Sequence, residues 1–263
     1  MMKLSDAKVV ITGATGGIGQ SVAYLLAERG ARLLLVGRNS DKLIALVKHM
    51  GSEHAWLSAD ISCAQGRADV MLEARRFGAN MLINNAGISE FNELARFSDS
   101  QLAQAVNINL LAPMCLTRSF LHELGESPKV VLNVGSALGS IGYPYYAGYC
   151  ASKFGLRGFS EALQRELTDS RHQVLYFAPR ATDTNINSNA VKQMNRALGS
   201  KTDSPQEVAY ALVKQLQQGK KRVVIGWPEK LFARLNGCWP EVVDNALAKK
   251  FTKIQKFVKM VNS

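Results

Sequence analysis

Tyr149 and Lys153 stand four residues apart, a spacing that sets two side chains on one face of a helix. A phenol with an ordinary pKa of about 10 exchanges protons poorly at neutral pH. An adjacent ammonium stabilises the phenolate and draws that pKa toward the working range. Ser136 lies thirteen residues before Tyr149, at the end of an apolar run, where its hydroxyl can hold a substrate oxygen. The set reads as a proton-transfer site acting on an oxygen. The Tyr-x-x-x-Lys pair alone is common, so its meaning depends on what surrounds it.

A second constellation lies near the start of the chain. Val9–Thr12 is an apolar strand, followed by a turn with Gly13, Gly16, Gly17 and Gly19 and then an amphipathic segment. Glycines permit close backbone approaches, and a helix starting near Gly17 would aim free N–H groups and its positive dipole end at a pyrophosphate. The spacing 13, 17, 19 has one longer gap than the G-x-G-x-x-G fingerprint. The next strand ends in Gly37-Arg38-Asn39, where an NAD site usually carries an acid for the ribose 2′-hydroxyl. Arg38 there suits a 2′-phosphate, which predicts NADP(H), with NAD(H) the less favoured cofactor.

These residues need a frame that holds strand ends together. Apolar runs alternate with amphipathic segments throughout, the mark of βαβ units around a parallel sheet. The runs 8–12, 32–36, 54–57, 81–84, 129–134, 173–177 and 222–225 predict strands covered on both faces. Helices are predicted near 17–29, 41–49, 63–76, 99–123, 148–169 and 205–217, the last with Ser204 as cap before Pro205. The Asn- and Thr-rich stretch 181–200 is the least regular. Within 181–204 it reads as a flap over a substrate, against the alternative of a plain surface loop. The expected organisation is a nucleotide-binding and catalytic domain over 1–227 and a basic helical extension of it over 228–263.

The Thr12–Gly19 turn, Asp60, Asn84-Asn85-Ala86-Gly87, Asn109, Ser136, Tyr149 and Lys153 together resemble the short-chain dehydrogenase/reductase family, over about residues 5–227. The resemblance implies an α/β, Rossmann-type doubly wound fold of seven parallel strands with helices on both faces, assembled as a homodimer or homotetramer. It implies that Gly13, Gly17 and Gly19 shape the pyrophosphate turn, with Thr15, Gly16, Ile18 and Ile61 beside it, and that Asp60 meets the adenine. Asn85, Ala86 and Gly87 would pack against the nucleotide. Tyr149 would be the proton donor in reduction and the base in oxidation, and Lys153 would hold the nicotinamide ribose. Ser136 would position the carbonyl, and Asn109 would support a water joining Lys153 to solvent. Hydride transfer would use the pro-S face, with Pro179, Thr182 and Thr184 near the nicotinamide. The activity implied is NADPH-dependent reduction of a ketone, aldehyde or 3-oxoacyl group. Alternatives are an alcohol or hydroxysteroid dehydrogenase running oxidatively, and a non-catalytic NADP(H)-binding regulator. Where many relatives carry Pro-Gly, this chain has Pro179-Arg180. Arg180 either reaches an anionic substrate or cofactor group or turns to solvent. Tyr143 and Tyr146, with Tyr145, either line a substrate pocket or pack an oligomer interface.

Composition narrows the classes further. The chain has 263 residues, 47% of them hydrophobic, and a net charge of +11. Its four cysteines form no Cys-x-x-Cys pair, which predicts a reduced cytosolic protein without a metal site or disulfide framework. The opening residues lack the apolar core of a secretory signal. Ten Lys/Arg against three Asp/Glu fall in Lys220–Ser263. There Leu247, Phe251, Ile254, Val258 and Val261 share one helical face, and Lys249, Lys253 and Lys256 the other. An apolar patch at Leu231, Phe232, Leu235 and Trp239 precedes them. Three uses stand for this tail: packing on its own or a neighbouring subunit, resting peripherally on an anionic membrane, or meeting an acidic partner such as an acyl carrier protein. No helix-turn-helix or zinc-finger pattern supports specific nucleic-acid binding.

Overall fold

The strands are β1 (Lys8–Thr12), β2 (Arg32–Gly37), β3 (Ala55–Ser58), β4 (Met81–Asn84), β5 (Val130–Val134), β6 (Gln173–Ala178) and β7 (Arg222–Val224). The computed structural model describes residues 3–123 and 127–261. Among these residues the seven strands form one parallel sheet in the order β3-β2-β1-β4-β5-β6-β7. Predicted and observed strands agree within a residue at each end. The sheet is the Rossmann-type, doubly wound α/β architecture expected from the sequence. Its strand order reverses between β1 and β4, and such a reversal opens a crevice beyond the carboxyl ends of the strands.

The helices are α1 (Gly17–Ala27), α2 (Ser40–Met50), α3 (Ala64–Phe77), α4 (Asp99–Val106), α5 (Ala112–Glu123), α6 (Ala147–Glu166), α7 (Asn189–Ala197), α8 (Pro205–Gln218), α9 (Glu229–Cys238) and α10 (Pro240–Val261). Successive strand residues point to opposite faces, and the two cores divide accordingly. Val9, Ile11, Leu33 and Leu35 pack with Val22 and Leu26 of α1 and Leu212 of α8. Val10, Leu34, Val36 and Leu82 pack with Val70 of α3 and Leu116 and Phe120 of α5. Burial on both faces is why these strands read as unbroken apolar runs rather than alternating ones.

Two expectations need correction. The helix predicted over 99–123 is interrupted by a π-helical turn at Asn107–Leu111, a local widening that can re-aim a side chain inward. The stretch 181–200 is not loop throughout, because α7 occupies 189–197. The side chain of Ser188 caps it at the Val191 N–H, and Val191 and Met194 are buried. Of the three uses expected for the tail, packing within its own chain is seen for part of its apolar face. Ile254 and Val258 are fully buried against Phe91, Tyr146, Cys150, Val191 and Met194, and Phe251 stacks on Tyr145 with ring centroids 5.9 Å apart. The Lys253 ammonium donates to the carbonyl of Ala197 at the end of α7, where a cation meets the negative end of a helix dipole. Lys249, Lys253 and Lys256 are exposed, as are Leu231 and Trp239. The side chain of Val261 lies outside the described residues. No described helix is long and apolar enough to cross a membrane.

Candidate active site

The turn after β1 is built by close contacts. Gly13 has φ +65°, and a Cβ there would stand 2.7 Å from Ala86 Cα. A Cβ on Gly19 would meet the Gly13 carbonyl oxygen at 2.3 Å. Larger residues at either position would push the turn off the end of β4. That union is fastened by Asn85, whose Nδ2 donates to the carbonyls of Thr12 (3.0 Å) and Gly13 (3.1 Å). The N–H groups of Asn85 and Ala86 both donate to Thr12 Oγ1 at 3.1 Å. No side chain caps α1 at Gly16, so its first N–H groups point into the crevice as donors for an anion.

Gly13, Thr15, Gly16, Gly17, Ile18, Gly19, Arg38, Asp60, Ile61, Asn85, Ala86 and Gly87 all line one cavity of about 380 Å³. Every residue expected to hold the adenine and phosphate half therefore converges. Lys42 joins them, a second cation near Arg38 that the sequence reading missed. Its signal was present: Asn39 caps α2 by accepting from the Lys42 N–H at 2.8 Å, which places Lys42 in the first turn beside the strand end. The Asp60 carboxyl is held below its usual range by the Ser62 N–H and hydroxyl, with Arg38 adding to the effect. The cavity suits the adenine and pyrophosphate half of a dinucleotide in its donors, with uncapped helix amides for a pyrophosphate and the cations Arg38 and Lys42 in its lining.

A second cavity of about 280 Å³ adjoins the first, sharing Ile18, Asn85, Gly87, Thr184 and Ile186 with it. Ser136, Tyr143, Tyr146, Tyr149, Lys153, Pro179, Arg180 and Thr182 line it. Helix α6 carries Tyr149 and Lys153 one turn apart, and the Lys153 Nζ stands 5.9 Å from the Tyr149 ring centroid. Ser136 follows β5 and forms a side-chain hydrogen bond to the Tyr149 hydroxyl, while its own Oγ accepts from the Leu138 N–H at 3.1 Å. Tyr146 packs edge-on to Tyr149 and Tyr143, at 5.9 and 6.1 Å between centroids. The tyrosines thus wall the cavity on one side and join the cluster beneath α10 on the other.

The protonation states differ from expectation. Burial pushes Tyr149 up to about 12, only partly opposed by the Ser136 hydrogen bond. Burial draws Lys153 down to about 8. The expected depression of the phenol is not found in the protein alone, because the Lys153 ammonium is itself desolvated and donates to the Val134 carbonyl at 3.0 Å. Tyr149 is thereby a protonated donor at neutral pH.

Two further residues sit outside the cavities or away from a ligand, and of these only Arg180 departs from expectation. Asn109 lines neither cavity. It is fully buried in the π-helical turn, where Oδ1 accepts from the Ile88 N–H and Nδ2 donates to the Ile88 carbonyl, both at 2.9 Å, and to Ser152 Oγ at 3.1 Å. It lies behind Gly87, whose added Cβ would meet Asn109 Oδ1 at 3.1 Å and Lys153 Nζ at 3.6 Å. Arg180 neither faces solvent nor offers its guanidinium to a ligand. Its Nε donates to Asp203 at 2.9 Å and a second nitrogen to the other carboxylate oxygen. A third nitrogen donates to the Trp227 carbonyl at 3.0 Å and lies 3.6 Å from Glu229. These contacts fasten the end of β6 to the segments leading into α8 and α9.

The cavity roof comes from α7, which lies within the stretch 181–204 read as a flap, and from α9 and α10, which the sequence did not place there. Val191 and Met194 of α7, Phe232 of α9, and Val243, Leu247 and Lys250 of α10 all line it. For α7 the usable signal was Ser188 followed by Val191, Met194 and Leu198 at helical spacing.

Among known proteins, residues 7–195 match the family described as short chain dehydrogenase. The chain belongs to that family and is an oxidoreductase of it. It is similar to a 3-oxoacyl-[acyl-carrier-protein] reductase of Bos taurus, 32% identical over 73% of this chain and 81% of the relative. It also resembles a 3-ketodihydrosphingosine reductase of Bos taurus, 31% identical over 86% of this chain and 73% of the relative. Among solved structures, a short chain dehydrogenase from Burkholderia cenocepacia J2315 in complex with NADP superposes with a TM-score of 0.80. It shares 22% identity, across 94% of this chain and 99% of that one.

Proposed function

We propose that the chain is an NADPH-dependent reductase that converts a ketone, aldehyde or 3-oxoacyl carbonyl to an alcohol. The observation that carries this reading is a half-buried tyrosine, protonated at neutral pH and hydrogen-bonded to Ser136, in the wall of an apolar cavity that adjoins a glycine-walled crevice. The names of the two bovine relatives, both reductases of 3-oxo compounds, support the same substrate chemistry.

The glycine turn and α1 would hold the pyrophosphate, Asp60 the adenine, and Arg38 with Lys42 a 2′-phosphate. Thr184, which lines both cavities, would mark the nicotinamide end, with Pro179 and Thr182 beside it. When bound, the reduced nicotinamide supplies a hydride for the carbonyl carbon. Ser136 orients the substrate oxygen, and Tyr149 gives that oxygen its proton. Lys153, charged below about pH 8, stabilises the phenolate left behind, and Asn109 fixes the backbone around Gly87 beside it.

The test is Tyr149→Phe, assayed with NADPH and a panel of ketones and 3-oxoacyl thioesters. Turnover should fall by about 10²–10⁴-fold, the usual contribution of a general acid, with NADPH affinity within about twofold of wild type. Undiminished turnover in the variant would reject the assigned role. A wild-type protein that binds NADPH yet reduces no carbonyl would favour the regulator.

A further inference from the structure

Helix α10 carries one apolar stripe with a single break. Val243, Leu247, Lys250, Ile254 and Val258 follow at intervals of four, three, four and four, which places all five within an arc of about 80° at 100° per residue. Val243, Ile254 and Val258 are buried. Lys250 is the exception, a cation in the register where the stripe calls for an apolar side chain. It differs from Lys249, Lys253 and Lys256, which project from the other side of the helix.

The place of the exception matters. Val243, Leu247 and Lys250 line the cavity that also holds Tyr149 and Ser136, whereas Ile254 and Val258 continue into the cluster with Val191 and Met194. The stripe turns from apolar to cationic where it passes from the cavity wall to its mouth, since Lys250 is exposed. Long lysine stems can lie along apolar surface while the ammonium stays near water. The other charged groups on this cavity are engaged. Lys153 donates to the Val134 carbonyl, Arg180 is bound by Asp203, and Glu229 lies against Arg180. Among the described residues Lys250 has no hydrogen-bond or ion-pair partner.

We infer that Lys250 is a specificity residue that pairs with an anionic group on the substrate, remote from its carbonyl and joined to it by an apolar body. This rests on the reading that the cavity takes a carbonyl compound, and it narrows the class. The oxygen to be reduced meets Ser136 and Tyr149, the apolar middle lies against Met194, Phe232 and Leu247, and a carboxylate or phosphate at the far end meets Lys250.

Methyl ketones carrying a terminal carboxylate, with the polymethylene spacer lengthened stepwise, test this against their own methyl esters. For the wild-type enzyme with NADPH, the acids should show a spacer length of lowest KM, at which the acid is preferred to its ester by about tenfold, as for a charge-assisted contact at a partly exposed site. Lys250→Met should bring the acid-to-ester KM ratio near one, Lys250→Glu should invert it, and Lys250→Arg should keep most of it, with the change in KM rather than kcat. Calorimetric binding of the same acids to the NADPH-loaded protein gives a readout without turnover. Lys250-dependent binding with no reduction would sink the reductase reading and leave this inference standing. Reduction with equal KM for acids and esters, or an acid preference unchanged in Lys250→Met, would overturn the inference, as would failure of the acids to bind.

Discussion

The glycine-lined half of the crevice and the helical roof over its other half are built on opposite terms. In the first, backbone touches backbone: Gly13, Gly19, Ala86 and the Asn85 amide lock two strand ends within hydrogen-bonding reach. In the second, side chains from α7, α9 and α10 meet across long stretches of chain, held by an apolar cluster and by Arg180. The first tolerates almost no change of residue type, whereas the second tolerates many provided volume and charge balance are kept. That contrast suits a fixed cofactor seat beneath an adjustable substrate cover.

The largest effect expected from breaking the roof lies at Arg180. Removing one partner of a buried ion pair leaves an uncompensated charge, so Arg180→Ala should cost about 3–5 kcal/mol. Replacing Arg180 and Asp203 together by Met and Leu should recover most of it. Urea unfolding of the two variants checks this, and equal losses in both would show that the pairing is not what stabilises the junction. Ile254→Ala comes next, at about 2–4 kcal/mol for a fully buried isoleucine. If the roof is adjustable and the seat is fixed, the variant should raise the KM for carbonyl substrate while NADPH affinity stays within about twofold.

Lys153 sharpens the contrast from the other side, because there catalysis and stability oppose each other. Burial lowers its pKa from the ordinary lysine value to about 8. The unfolded chain therefore binds more protons between pH 8 and the ordinary value, and folding stability should rise with pH across that window. Below pH 8 the full cost of the buried ammonium is present. Lys153→Met should raise stability at pH 7 by about 2 kcal/mol, the burial cost less one hydrogen bond. It should also flatten that alkaline rise and abolish most turnover. Thermal melts at pH 7 and pH 10 decide it; a variant no more stable than wild type at pH 7 would show the lysine to be well compensated. The smallest effect is at the cofactor end. Arg38→Ala should weaken NADPH by about tenfold and leave NADH nearly unchanged, with Lys42 retaining part of the preference. Dissociation constants for the two nucleotides measure it.

The seat was readable in the sequence because its chemistry dictates residue types. A turn that closes on Ala86 needs glycine at 13, and a proton donor four residues from a lysine needs helix α6. The roof was less readable because its contacts are not local. Arg180 finds Asp203 23 residues along, and nothing in Pro179-Arg180 announces that partner. Asn109 was recognised, but not its inward placement, since the π-helical turn that re-aims it has no residue signature. The basic tail displayed its amphipathic face plainly. A periodic apolar stripe records that something covers it without recording what, and the cover proved to be α7 and the tyrosine loop.

The lysine seated on the last carbonyl of α7 joins residues 56 apart in the chain and, with the apolar cluster beside it, makes two helices into one leaf. Widening the cavity beneath such a leaf requires the two helices to lift together. Loosening the lysine contact should ease that lifting, and should slacken the grip on what has just arrived in the same measure.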